Sequence, residues 1–82
     1  MTFLISQDRK IAIRADTIKT LYVGFFTDKK CYLGVSIQGD EDDIVMGYFS
    51  DENLAIEALE EVASNLTQGF STRIKEESEV SE

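Results

Sequence analysis

The stretch Ser50-Asp51-Glu52-Asn53-Leu54-Ala55-Ile56-Glu57-Ala58-Leu59-Glu60-Glu61-Val62-Ala63-Ser64-Asn65-Leu66-Thr67-Gln68-Gly69-Phe70 decides the fold. On a 3.6-residue repeat Ala55, Leu59, Val62, Ala63, Leu66 and Phe70 gather on one side, with Ile56 and Ala58 at its margins. Glu57, Glu60, Glu61, Ser64 and Gln68 fall opposite. The spacing predicts an amphipathic helix. Ser50 or Asp51 can cap its first turn, Asp51 and Glu52 sit where the helix dipole favours negative charge, and Gly69 is a natural left-handed stop. An isolated helix of this length is marginal in water, so it must lie on a sheet.

Reading backwards from the helix, Ile44 to Phe49 is its preceding strand and Gly39-Asp40-Glu41-Asp42-Asp43 a hairpin tip. Tyr32 to Gln38 and Leu21 to Phe26 form the next pair, joined by Thr27-Asp28-Lys29-Lys30-Cys31, and Asp16-Thr17 marks a bend before Ile18. Phe3 to Ser6 and Ile11 to Arg14 read as an opening hairpin around Asp8-Arg9-Lys10, with Gln7 opposite Ile11 and Ile5 opposite Ile13. The expected architecture is α+β: an antiparallel sheet of about five strands built from hairpins, with one C-terminal amphipathic helix on one face. Residues 1–70 form this single domain. Residues 71–82, polar and ending in an acid-rich run from Glu76, read as a disordered tail.

Alternation fixes which side chains share a face. Pairing Phe25 with Leu33 and Val35 with Met46 places Leu21, Val23, Phe25, Cys31, Leu33, Val35, Ile37, Ile44, Met46 and Tyr48 beneath the helix. The opposite face then carries Gly24, Gly34 and Gly47 in one row and Phe26, Tyr32 and Phe49 in the next. In the plainer interpretation this shelf is aromatic rings covering bare backbone. In the functional one it is a docking surface, for a second copy in a homodimer or for another protein.

Chemistry is sparse in this composition. Without histidine there is no Ser–His or Cys–His nucleophile and no ordinary zinc site, and the sequence holds neither a CxxC pair nor a phosphate-cradling glycine loop. The lone Cys31 lies in an apolar strand and reads as a core residue, consistent with a reducing cytoplasm. Asp40-Glu41-Asp42-Asp43 has oxygen ligands for Ca²⁺ or Mg²⁺, but Ile44 and Val45 stand where a calcium loop needs a ligand and a glycine. The glutamates of the helix sit on its polar face, with nothing to raise a carboxylate's pKa for acid–base work. The expectation is a non-enzymatic protein with no catalytic residue, cofactor or metal, and with no membrane segment.

Charge is divided unevenly along the chain. Residues 1–39 hold six Lys or Arg against three Asp, whereas residues 40–82 hold two against thirteen acids, for a total of −8. Such a field repels nucleic acid and attracts basic surfaces. The candidate contact residues are Asp40, Glu41, Asp42, Asp43, Asp51, Glu52, Glu57, Glu60 and Glu61.

Ile5-Ser6-Gln7-Asp8 with Lys10-Ile11, Asp16 and Ile18, and above all Gly47-Tyr48-Phe49-Ser50-Asp51-Glu52 running into Ala55 and Leu59, resemble small prophage-encoded proteins of Gram-positive bacteria. In that group a G-x-Y/F-S/T-x-E-x-A segment links the last strand to a helix. The resemblance implies a phage or prophage context and carries over no catalytic residue. The leading functional expectation is a binding module whose acidic surface engages a basic protein groove, such as that of a host nuclease or other nucleic-acid-binding defence protein. That is the manner of an anti-CRISPR inhibitor that imitates DNA charge. The alternative is a small assembly protein that oligomerises through the apolar sheet face: Phe26, Tyr32, Phe49, Gly24, Gly34 and Gly47.

Overall fold

The computed structural model describes residues 2–27 and 30–76. Its elements follow in order as β1 (Phe3–Ile5), β2 (Ala12–Arg14), a turn of 3-10 helix (Ala15–Thr17), β3 (Ile18–Phe25), β4 (Cys31–Ile37), β5 (Ile44–Phe49), α1 (Glu52–Thr67) and β6 (Thr72–Arg73). The α+β class is the one the sequence predicts, and β3, β4 and β5 make an antiparallel sheet. The strands do not merge into one five-stranded sheet. They divide into two sheets, ordered β2-β1-β6 and β3-β4-β5, and the first is mixed because β6 runs parallel to β1, with Leu4 beside Thr72 and Ile5 beside Arg73.

Residues 71–76 therefore belong to the fold and are not a loose tail. Ile74 is fully buried, its N–H donates to the Ile5 carbonyl at 2.9 Å, and Ser71 Oγ accepts from the Phe3 N–H at 3.0 Å. A single apolar residue in a polar stretch produces no periodicity, so the sequence pattern does not reveal it. Residues 77–82, and the disorder expected there, lie outside the described residues.

The helix begins at Glu52 with Asp51 as its cap, whose carboxylate accepts from the Asn53 N–H at 3.0 Å. It ends where Gly69, at φ +84°, reverses the chain. Gly69 N–H reaches Leu66 O and Phe70 N–H reaches Asn65 O, so two otherwise orphaned carbonyls are satisfied. Ala55, Ala58 and Val62 form the buried line, flanked by Leu54, Leu59 and Leu66. The face is thus centred on Ala58, with Ala63 exposed and Phe70, beyond the reversal, 58 % exposed. Two alanines on this line let the helix settle close to Leu33, Val35 and Met46, and Leu4, Phe49 and Ile74 complete the core.

In the β1–β2 hairpin Leu4 pairs with Ile13 and Ile5 with Ala12, one residue away from the expected register. Ser6 sets the difference. Its buried hydroxyl donates to Asp8 at 2.6 Å and accepts from the Ile11 N–H at 3.1 Å, while Asp8 also accepts from the Lys10 N–H. Ser6 then faces Ile11 through a 2.8 Å backbone bond, and Arg9 takes the left-handed conformation at the tip. The Ser6 hydroxyl first, and the Lys10 N–H second, hold the Asp8 carboxyl below the usual carboxylate range.

Gln7 joins the two sheets. Its backbone N–H donates to Met46 O at 2.7 Å. Its side-chain amide accepts from Tyr48 N–H at 2.9 Å and donates to Tyr48 O and Lys75 O, both at 3.1 Å. One side chain thus imitates a strand residue along the far edge of β5.

Candidate interaction surface

The face of the β3-β4-β5 sheet away from α1 is shaped by a bulge. Cys31 pairs with Phe49 and Leu33 with Gly47, but Gly34 pairs with Val45 and Val35 with Ile44, which leaves Met46 as an extra residue on β5. Alternation reverses across it. Ile44 and Met46 face the core as expected, but so does Phe49, only 3 % exposed, while Tyr48 turns outward at 56 % exposed. Two of the expected shelf residues therefore leave the shelf. Phe49 is core, and Gly47 sits opposite Leu33, where a Cβ would come within 2.8 Å of Ile74 Cγ2.

Between β3 and β4 the pairing is Val23 with Leu33, Gly24 with Tyr32 and Phe25 with Cys31. This differs by two residues from the expected alignment, so the faces are kept. Phe25 nonetheless lies at the end of its strand, 56 % exposed and not buried beneath the helix. On the outer face the rings lean over glycines: Tyr32 covers Gly24, and Tyr22 covers Gly34, where a Cβ would approach the Tyr22 ring at 2.8 Å.

The outer face holds a continuous aromatic cluster. Phe26 stacks on Tyr48 with centroids 5.2 Å apart and planes at 16°, and meets Tyr32 at 5.2 Å and 41°. Tyr32 in turn meets Tyr22 edge-on at 6.2 Å. Phe26, Tyr32, Gly24 and Gly34 are the expected members; Tyr48 and Tyr22 were missed. Gly47 was the available signal, since an isolated glycine in a strand marks a bulge. Beside the stacked pair lies an open depression of about 310 Å³ lined by Phe26, Lys30, Tyr48, Phe49 and Ser50. Tyr22 donates to the Asp43 carboxylate at 2.6 Å; that bond first, and burial second, push its pKa up to about 12.

The acidic residues are not gathered on one surface. Asp40, Glu41, Asp42 and Asp43 are exposed at the β4–β5 tip, whereas Asp51 and Glu52 follow the other end of β5. Six strand residues separate the two groups by about 20 Å. Glu57 and Glu60 are exposed on α1, and Glu61, partly buried, pairs with Lys75 Nζ at 2.8 Å. Asp40, Glu41, Asp42, Glu52, Glu57 and Glu60 make no ion pair with a cation among the described residues. Among those residues, no three His, Cys, Asp or Glu side chains come together as a ligand set. Cys31 is buried, its thiol directed at Phe49 O at 3.6 Å. No helix among the described residues is long and apolar enough to cross a membrane.

No protein-family model, no curated protein and no solved structure matches this chain.

Proposed function

We propose that this chain is a non-enzymatic protein-interaction module and that the outer face of β3, β4 and β5 is its contact surface. The observation that carries the reading is the packed cluster of Phe26, Tyr32 and Tyr48, in which Phe26 and Tyr48 are each at least half exposed. Contiguous exposed aromatics of this kind mark interfaces, where they contribute large apolar area at little entropic cost. The depression beside Phe26 and Tyr48 is open, and suits one side chain of a partner better than an enclosed substrate.

A second reading keeps the acidic surface as the contact, engaging a basic protein groove such as a host nuclease presents to nucleic acid. It is favoured by Asp40, Glu41, Asp42, Glu52, Glu57 and Glu60, which are exposed and pair with no cation among the described residues. Capture of partners from a lysate of the source organism separates the two. Contact through the aromatic face survives about 0.5 M salt and is lost in the Phe26→Ala, Tyr48→Ala double variant, while capture through charge is screened away and is lost in Glu57→Lys, Glu60→Lys. Capture that ignores the aromatic variant while its circular dichroism stays unchanged rejects the first reading.

A further inference from the structure

The aromatic face is one open surface of the β3-β4-β5 sheet; its edge is another. Strand β3 is terminal in the order β3-β4-β5, and at eight residues it is the longest strand described. The other side of the sheet is different, because Gln7 already occupies the Tyr48 N–H and C=O on the far edge of β5.

Which β3 groups are free follows from the ladder. Phe26 N–H donates to Lys30 O, and hydrogen-bonded pairs alternate along an antiparallel ladder, so Gly24 with Tyr32, Tyr22 with Gly34 and Thr20 with Ser36 are also bonded pairs. The backbone groups of Leu21, Val23 and Phe25 then point outward. Among the described residues no hydrogen bond reaches them. Natural edge strands are usually guarded by proline, by inward charges or by a bulge across their middle. Residues 17–27 hold no proline and one charge, Lys19, at the register shift between Ile18 and Thr20, outside the segment 21–25.

We infer that the β3 edge is a strand-pairing site and that its occupant is β3 of a second copy, antiparallel about a twofold axis through Val23. The segment is self-complementary in that register. Val23 meets its own counterpart and Leu21 meets Phe25, whose ring is 56 % exposed in the single chain. On the outer face Tyr22 stands opposite Gly24 of the second copy, so no second bulky side chain meets the Tyr22 ring there, while Gly24 keeps its cover from Tyr32 and Tyr22 its place over Gly34. Each of Leu21, Val23 and Phe25 exchanges backbone bonds with its opposite residue, and the result is a continuous six-stranded sheet. The charge of −8 opposes the pairing: most acids lie on the β4–β5 tip and α1, but Asp43 reaches this strand by accepting from the Tyr22 hydroxyl at 2.6 Å, and Asp16 precedes its foot. Salt therefore strengthens the dimer, the opposite of its effect on capture through charge.

The test is amide hydrogen exchange and sedimentation of the whole chain from micromolar to sub-millimolar concentration. The amides of Leu21, Val23 and Phe25 slow by about tenfold or more as concentration rises, and the sedimenting species moves from monomer to dimer. Val23→Pro removes an outward N–H without touching the β4 ladder and returns the chain to monomer. Tyr48→Ala, on the far strand, weakens the aromatic face and leaves the dimer in place, which separates this inference from the proposed docking face. Exchange at these three amides that stays fast at every concentration overturns the inference, as does a dimer that persists in Val23→Pro or disappears in Tyr48→Ala. Should Val23→Pro fail to fold, the exchange of the unaltered chain decides alone.

Discussion

Single residues here answer to what lies over them. Gly24 and Gly47 both lack room for a Cβ, but for different reasons. Gly24 is covered by the outer end of the Tyr32 ring, which can swing away, whereas Gly47 is backed by Ile74, fully buried, and by Gln7 Cβ at 3.1 Å. Gly47→Ala should therefore destabilise by about 1–3 kcal/mol as overpacking, read from urea denaturation, and Gly24→Ala should cost less while exposing Tyr32. Tyr22 offers a pH test. Its folded pKa of about 12 lies above the ordinary tyrosine value near 10, so its contribution to stability is complete below about pH 10 and lost as pH rises toward 12. In Asp43→Asn the acceptor charge is gone, and ultraviolet titration should show this phenol returning toward the ordinary value. Residue by residue, the sequence exposed Phe26, Tyr32, Gly24 and Gly34 because strict alternation governs β3 and β4. It mistook Tyr48 for Phe49, because one extra residue at Met46 reverses alternation and no periodic pattern registers it.

Elements were legible in proportion to their length. The helix stood out because sixteen residues carry several turns of repeat and both caps, Asp51 and Gly69, have distinctive chemistry. Its cap can be tested directly: Asp51→Ala should lower stability by about 0.5–2 kcal/mol by thermal or urea unfolding, with no change in the sheet's spectroscopic signature. Strand β6 was illegible, since two residues followed by one isoleucine offer no pattern to detect. Its weight in the structure is nonetheless that of a core element, and Ile74→Ala should cost about 2–5 kcal/mol. A result near zero would mean that the chain after Gly69 contributes nothing to stability.

For the molecule as a whole, composition foretold the class and the division of charge but not how the charge is displayed. Nine carboxylates between Asp40 and Glu61 look contiguous in sequence. Folding sends them to opposite ends of β5 and along a helix, because a strand of six residues carries its two flanks about 20 Å apart. The division into two sheets was equally hidden, and the link across it is a side chain, Gln7, acting as backbone. That substitution of roles has a consequence for engineering. Both acceptors facing the amide nitrogen, Tyr48 O and Lys75 O, need a donor, so exchanging this one nitrogen for oxygen in Gln7→Glu sets a carboxylate against two carbonyls at neutral pH. Protonation restores one of the two donors to the seam, so the variant should regain stability as pH falls, an acid response in a protein whose sequence contains no histidine to supply one.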